Sequence, residues 1–196
     1  MTTRLLAVVL GVSLAAVAVR AQDHPFKNVS LNDFATYKMK LTVGSLNLEG
    51  TTTQVVTAKT NTKVTLKITA NFSGMETPPQ DQEIDLTKPY DPIGTLSPGA
   101  KASIKKLKEG QEKIKSGKDK DGKDKEYDCT WTTYQIDAEA SGHKITGELK
   151  VWESRTAKLG LVKMEMSGKA TSIADPKVVV DTKMSLEMME DGTKKP

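Results

Sequence analysis

A serine followed three residues later by a lysine is the first pattern in this chain that could do chemistry. Ser103-Ile104-Lys105-Lys106 has it, and Lys115-Ser116-Gly117 begins nine residues after Lys106. In such a pair the lysine helps to take the proton from the serine hydroxyl, which then attacks an acyl carbon. The spacing recurs at Ser141 to Lys144. A lysine-rich chain produces that match by chance, so the pattern alone identifies no enzyme.

The penicillin-binding enzymes, whose Ser-x-x-Lys and Lys-Thr-Gly elements these stretches resemble, need a much larger domain between the two. Other constellations read in the same way. Asp119, Asp121, Asp124, Glu126 and Asp128 cluster around Gly122 and could offer oxygen ligands to calcium. Their spacing misses the EF-hand loop, and Lys118, Lys120, Lys123 and Lys125 interleave with them, as on a solvated hairpin tip. Met164, Met166, Met184, Met188 and Met189 could present thioethers to Cu(I), with His143 or Cys129. Methionine at alternating strand positions is also ordinary core packing. His24 and His143 are too few for a usual zinc site. Cys129 alternates with Tyr127 and Trp131, which predicts a buried, inert thiol. The reading is therefore of a chain that is not an enzyme and carries no metal or cofactor.

The elements that would hold such residues are strands. In residues 37–43 every second residue is apolar. In residues 63–72, Val64, Leu66, Ile68, Ala70 and Phe72 share one face and Lys63, Thr65, Lys67, Thr69 and Asn71 the other. That is the period of a half-buried strand. Residues 46–59 are rich in threonine and valine. Val43-Gly44-Ser45 and Thr60-Asn61-Thr62 are short enough to be hairpin turns, which makes their strands antiparallel neighbours. Residues 82–86 give a further short strand. Pro89, Pro92 and Pro98 then punctuate a surface crossover.

Residues 101–125 hold ten lysines against five acids. Ala100, Ile104, Leu107, Gln111 and Ile114 have helical spacing after Ser97-Pro98, but Gly110 would interrupt that helix. Two short strands around Glu109-Gly110 fit better. The run reads as solvated charge, with an anionic polymer or lipid headgroups as the binding alternative. Ile145, Leu149 and Val151 mark another strand, with Ser141-Gly142 as its turn. Val162, Met164 and Met166 face one way and Lys163 and Glu165 the other. Residues 178–188 form the last strand, and residues 191–196 read as a polar tail.

Residues 1–21 have the form of an export signal. Arg4 supplies the charge, residues 5–19 are apolar apart from Gly11 and Ser13, and Val19-Arg20-Ala21 ends on small residues. Cleavage before Gln22 leaves 175 of the 196 residues, one domain at 22–190 before the tail. Loss of Arg4 and Arg20 takes the net charge from +4 to about +2. So small a charge argues against a nucleic-acid partner. No other apolar run reaches the ~20 residues of a membrane span. The expected location is periplasmic or secreted. Asn28-Val29-Ser30 and Asn71-Phe72-Ser73 would be glycosylated only in a eukaryotic secretory pathway.

Three stretches carry a family likeness: Asn32-Asp33-Phe34-Ala35-Thr36-Tyr37; Tyr127-Asp128-Cys129-Thr130-Trp131; and Lys150-Val151-Trp152-Glu153-Ser154 with Leu159-Gly160-Leu161-Val162-Lys163-Met164. Together they resemble an uncharacterised group of small exported bacterial β proteins, planctomycete-like in source. In architecture the chain looks similar to the curved sheets of lipoprotein-carrier and lipocalin-like proteins.

The expected fold is all-β and mainly antiparallel: one long curved sheet forming an open or closed barrel, with little helix. Space left inside the curl would take a lipid or other hydrophobic small molecule. Met39, Leu41, Leu66, Ile68, Trp131 and Met164 are its candidate lining. The alternative is a structural or interaction module of the cell envelope with a filled core.

Overall fold

The computed structural model describes residues 24–90, 101–118, 122–140 and 142–195. The expected export signal lies outside them. So do Ser141, Asp119, Asp121 and the crossover residues 91–100.

The alternating stretches become ten antiparallel strands in one sheet: β1 (Asp33–Val43), β2 (Leu46–Lys59), β3 (Lys63–Phe72), β4 (Met75–Glu76), β5 (Gln80–Asp85), β6 (Lys101–Lys118), β7 (Asp124–Ala140), β8 (His143–Glu153), β9 (Leu161–Ser172) and β10 (Val179–Thr193). Their order is β4-β3-β2-β1-β10-β9-β8-β7-β6, with β5 also on β3. Among the described residues the only helical element is a 3-10 turn, Pro25–Asn28. No helix there is long and apolar enough to cross a membrane. The all-β, antiparallel reading holds, and the sheet is curved and open.

Residues 101–118 differ from expectation. They form one strand of 18 residues, not two short strands around Glu109-Gly110. Gly110 does not break it, because the indole of Trp131 on β7 covers the glycine. A Cβ there would lie 2.6 Å from the ring. β6 also stands at the edge of the sheet. An edge strand studded with lysine resists pairing with a second chain, since each added strand would bury charge. The lysine run thus has a role in the fold. β10 likewise runs on through Thr193, into the segment expected as tail.

The sheet is rolled. β6 and β10 are four places apart in it, yet Ser116 Oγ donates to the Met188 carbonyl at 2.7 Å. The reason is strand length. Pairing of β9 with β10 stops at Lys163 and Glu187, while β10 continues. The end of β6 takes up that exposed stretch. Pro25–Asn28 and residues 154–160 pack on the same rolled end. There Phe26, Val29, Ala157 and Leu159 are buried with Tyr37, Val56, Val64, Leu66, Met164, Leu186 and Met188. Each large apolar side chain so buried contributes roughly 2 kcal/mol. At the opposite end lie the turns at residues 44–45 and 173–178.

Candidate ligand-binding surface

Strand register sets the candidate residues in rows across the sheet. One row on the inner face runs Phe72, Gly50, Met39, Leu186, Met164, Val151, Thr132. The next, one step towards the turns, runs Leu48, Leu41, Met184, Met166, Leu149, Tyr134. The two rows differ in cover. Leu186, Met164 and Val151 are buried, as is Leu149. Leu41, Met184, Met166 and Tyr134 are only half-buried. The second row is therefore an apolar strip that reaches the surface.

The six expected lining residues divide accordingly. Leu41 is the β1 member of this strip and Met39 lies one row away from it, both half-buried. Met164 borders it but is fully buried. Ile68 lies three rows from the strip towards the rolled end and Leu66 four, where Leu66 is fully buried. Trp131 is on the other face, because its neighbour Thr132 shares the row of Met164 and successive strand residues point opposite ways. The structure brings Met39, Leu41 and Met164 together and leaves Leu66, Ile68 and Trp131 apart.

Met166, Met184 and Tyr134 complete the strip and were missed as lining. The methionines were visible in the alternation with Met164. Tyr134 was hidden by a change of phase in β7. Tyr127 and Cys129 are buried in its first half, whereas Thr132, Ile136 and Ala138 are buried in its second.

No known protein-family model matches this chain. No curated relative matches either. Among solved structures, a candidate exported protein with a YmcC-like fold from Bacteroides fragilis is 9% identical, over 83% of this chain and 97% of that one, with a TM-score of 0.45. A candidate lipoprotein from Parabacteroides distasonis is 14% identical, over 87% of this chain and 100% of that one, with a TM-score of 0.47. Neither comes from the planctomycete-like source that the sequence stretches resembled.

Those three stretches do meet in space. Tyr37 Oη donates to the Leu161 carbonyl at 3.2 Å, joining the first to the third. Trp131 stands opposite Trp152, joining the second to the third. On that outer face Lys150 Nζ lies 4.5 Å from the Trp131 ring and 4.2 Å from that of Trp152. Trp152 Nε1 donates to Glu112.

The polar groups at the rolled end serve the fold. Asp191 accepts from Lys125 Nζ at 2.6 Å, Tyr127 Oη at 3.0 Å and the Lys158 amide at 2.9 Å. Asp33 accepts from the Ser30 amide at 2.8 Å and Thr193 Oγ1 at 2.5 Å. Burial pulls the Asp33 carboxyl up, but Thr193, Ser30 and Lys158 outweigh it and leave its pKa below the usual value. Two open clefts lie nearby. One of about 430 Å³ is bordered by Lys125, Tyr127, Lys158 and Asp191, and one of about 300 Å³ by Glu112, Lys113, Asp128 and Cys129. Both are open to solvent and bordered by charged side chains, and neither is the enclosed apolar space that a lipid carrier would use.

The reactive patterns come apart in three dimensions. Ser103 and Lys106 are three apart on a strand, so they face opposite ways. Ser116 is buried and spent on Met188. Of the acidic cluster, Asp124 pairs with Lys118, and Glu126 with Lys113 at 2.9 Å. Burial pushes the Cys129 thiol up to about 11, with Glu112 and Asp128 adding to the effect. The thiol stays protonated and unreactive at neutral pH. His24 is buried and accepts from the Phe26 amide at 3.3 Å.

Proposed function

We propose that this chain is an exported, non-enzymatic β module that lays an elongated apolar molecule, a lipid chain or similar, along the strip of Leu41, Met184, Met166 and Tyr134. The observation that carries the reading is this half-buried apolar row. It spans the five strands from β1 to β7, roughly 19 Å at ~4.8 Å between strands. Water left on such a strip is released when an apolar chain covers it. The charged start and apolar run of residues 1–21 support export to the periplasm or beyond.

A second reading rests on the buried Leu66, Met164 and Leu186. These fill the interior of the roll, as in a structural or interaction module of the envelope. The two readings part on one titration. A fluorescent long-chain fatty acid should bind the mature chain saturably, and Met184→Glu should abolish binding while leaving the melting temperature nearly unchanged. Saturable binding that survives Met184→Glu would remove the strip from the account. A lack of binding would leave the filled-core module.

A further inference from the structure

One row beyond the strip, towards the turns, the inner face holds a polar group that the fold leaves unused. Thr182 of β10 is two residues from Met184 and shares its face. It stands between Val43 of β1 and Gly168 of β9, and Gly168 faces Gly147 of β8. Thr182 is 5% exposed, and its hydroxyl has no hydrogen-bond partner within the described structure. A buried hydroxyl left unpaired costs free energy unless something meets it. Beside it in the strip are Met184 and, diagonally, Met166. Both methionines are half-buried, and an unbranched thioether chain turns aside readily. The two glycines carry no side chain, so from Thr182 the row crosses bare backbone to Ile136 of β7. In the strip, in this row and in the next, no described residue of β1 or β7–β10 is charged. Asp181, Lys183, Lys169 and Glu148 fall on the outer face.

We propose that Thr182 receives the uncharged polar head, a hydroxyl or an ester carbonyl, of an amphiphile whose chain lies on the strip. The proposal rests on the strip reading above. The threonine hydroxyl donates to a carbonyl or alcohol oxygen and accepts from an alcohol. One neutral hydrogen bond offsets the lost hydration of a neutral head. A carboxylate, phosphate or ammonium loses far more hydration in an apolar setting and meets no countercharge in these rows. Such a head stays in water beyond the strip, and Thr182 then contributes nothing to its binding.

Displacement of the fluorescent fatty acid from the mature chain by decanol, methyl decanoate, decanoate and decylamine at pH 8 tests this. The alcohol and the ester should bind about fivefold more tightly than the two charged compounds, the worth of one hydrogen bond. Thr182→Val removes the hydroxyl and keeps the shape. It should weaken the alcohol and the ester about fivefold and leave the charged pair unchanged. Its melting temperature should equal or exceed that of the parent, because no internal hydrogen bond is lost. Thr182→Ser should keep the neutral preference. Equal binding of neutral and charged compounds would overturn the proposal and leave the strip standing, as would a neutral preference that survives Thr182→Val. If neither the fluorescent probe nor any of the four binds, the strip itself fails and the head-group site falls with it.

Discussion

Tyr127 donates its phenol hydrogen to Asp191 at 3.0 Å, and in doing so ties β7 to β10 across the roll. The two residues are far apart in the sheet order. Nothing in their spacing along the chain announces the contact. Lys125 and the Lys158 amide complete the shell around the same carboxylate.

Asp191→Ala should therefore destabilise the fold by about 3 kcal/mol, because it leaves the Tyr127 hydroxyl and the Lys158 amide with no acceptor and Lys125 with only the backbone carbonyl of residue 191. Tyr127→Phe should cost about 1 kcal/mol, the worth of one hydrogen bond. The midpoints of urea denaturation measure both. Equal, small effects would mean that the rolled end is not held through Asp191.

Two carboxyls should give opposite pH slopes. The folded pKa of Asp33 lies below its unfolded value. Its contribution is present above the ordinary aspartate range and is lost as the pH falls through the folded value. The folded pKa of Glu153 is raised to about 7. Its proton is held in the folded chain and lost from the unfolded one between about 4.5 and 7, so stability drops across that window and stays low above it. Glu153→Gln should flatten the drop and stabilise the protein at pH 8 by up to about 3 kcal/mol. Asp33→Asn should weaken the loss of stability in acid. Denaturation curves from pH 3 to 8 report both, and an unchanged slope in either variant contradicts its assignment.

Gly147 and Gly168 stand opposite each other on β8 and β9. A Cβ on Gly147 would overlap the Ser167 carbonyl oxygen, and one on Gly168 the Thr146 carbonyl oxygen. Either glycine replaced by alanine should cost roughly 2 kcal/mol, since backbone must move. Gly50 is crowded in the same way by the Asn71 carbonyl. Melting temperatures near the parent value for both variants would show that the strands do not approach so closely.

Depth along β3 should be readable from charge. Lys at Leu66 should destabilise by several kcal/mol, as an uncompensated buried cation does. The same change at half-buried Ile68 should cost less, and at Thr65 less still. Equal tolerance at Leu66 and Thr65 would mean that the inward face is misassigned.

Much of this architecture was legible from alternation. Val64, Leu66 and Ile68 announced their face, and Gly44-Ser45 and residues 60–62 their turns. The length of β6 was not legible. A glycine at its middle reads as a break until Trp131 is seen to cover it. The face of Trp131 was misleading for a related reason. Tyr127, Cys129 and Trp131 keep perfect alternation, but the buried face of β7 changes after Cys129. Period 2 tells which residues share a side and not which side the rest of the molecule covers. The burial of Glu153, which lifts its carboxyl to about 7, was unreadable because its surroundings come from separate strands.

The most direct test of the apolar strip is native mass spectrometry of the mature protein purified from its own envelope fraction, with lipid extraction alongside. The account expects a bound amphiphile, seen as a discrete added mass on the parent chain and absent from Met184→Glu prepared in the same way. An identical bare mass for both proteins, with no lipid in either extract, would contradict it.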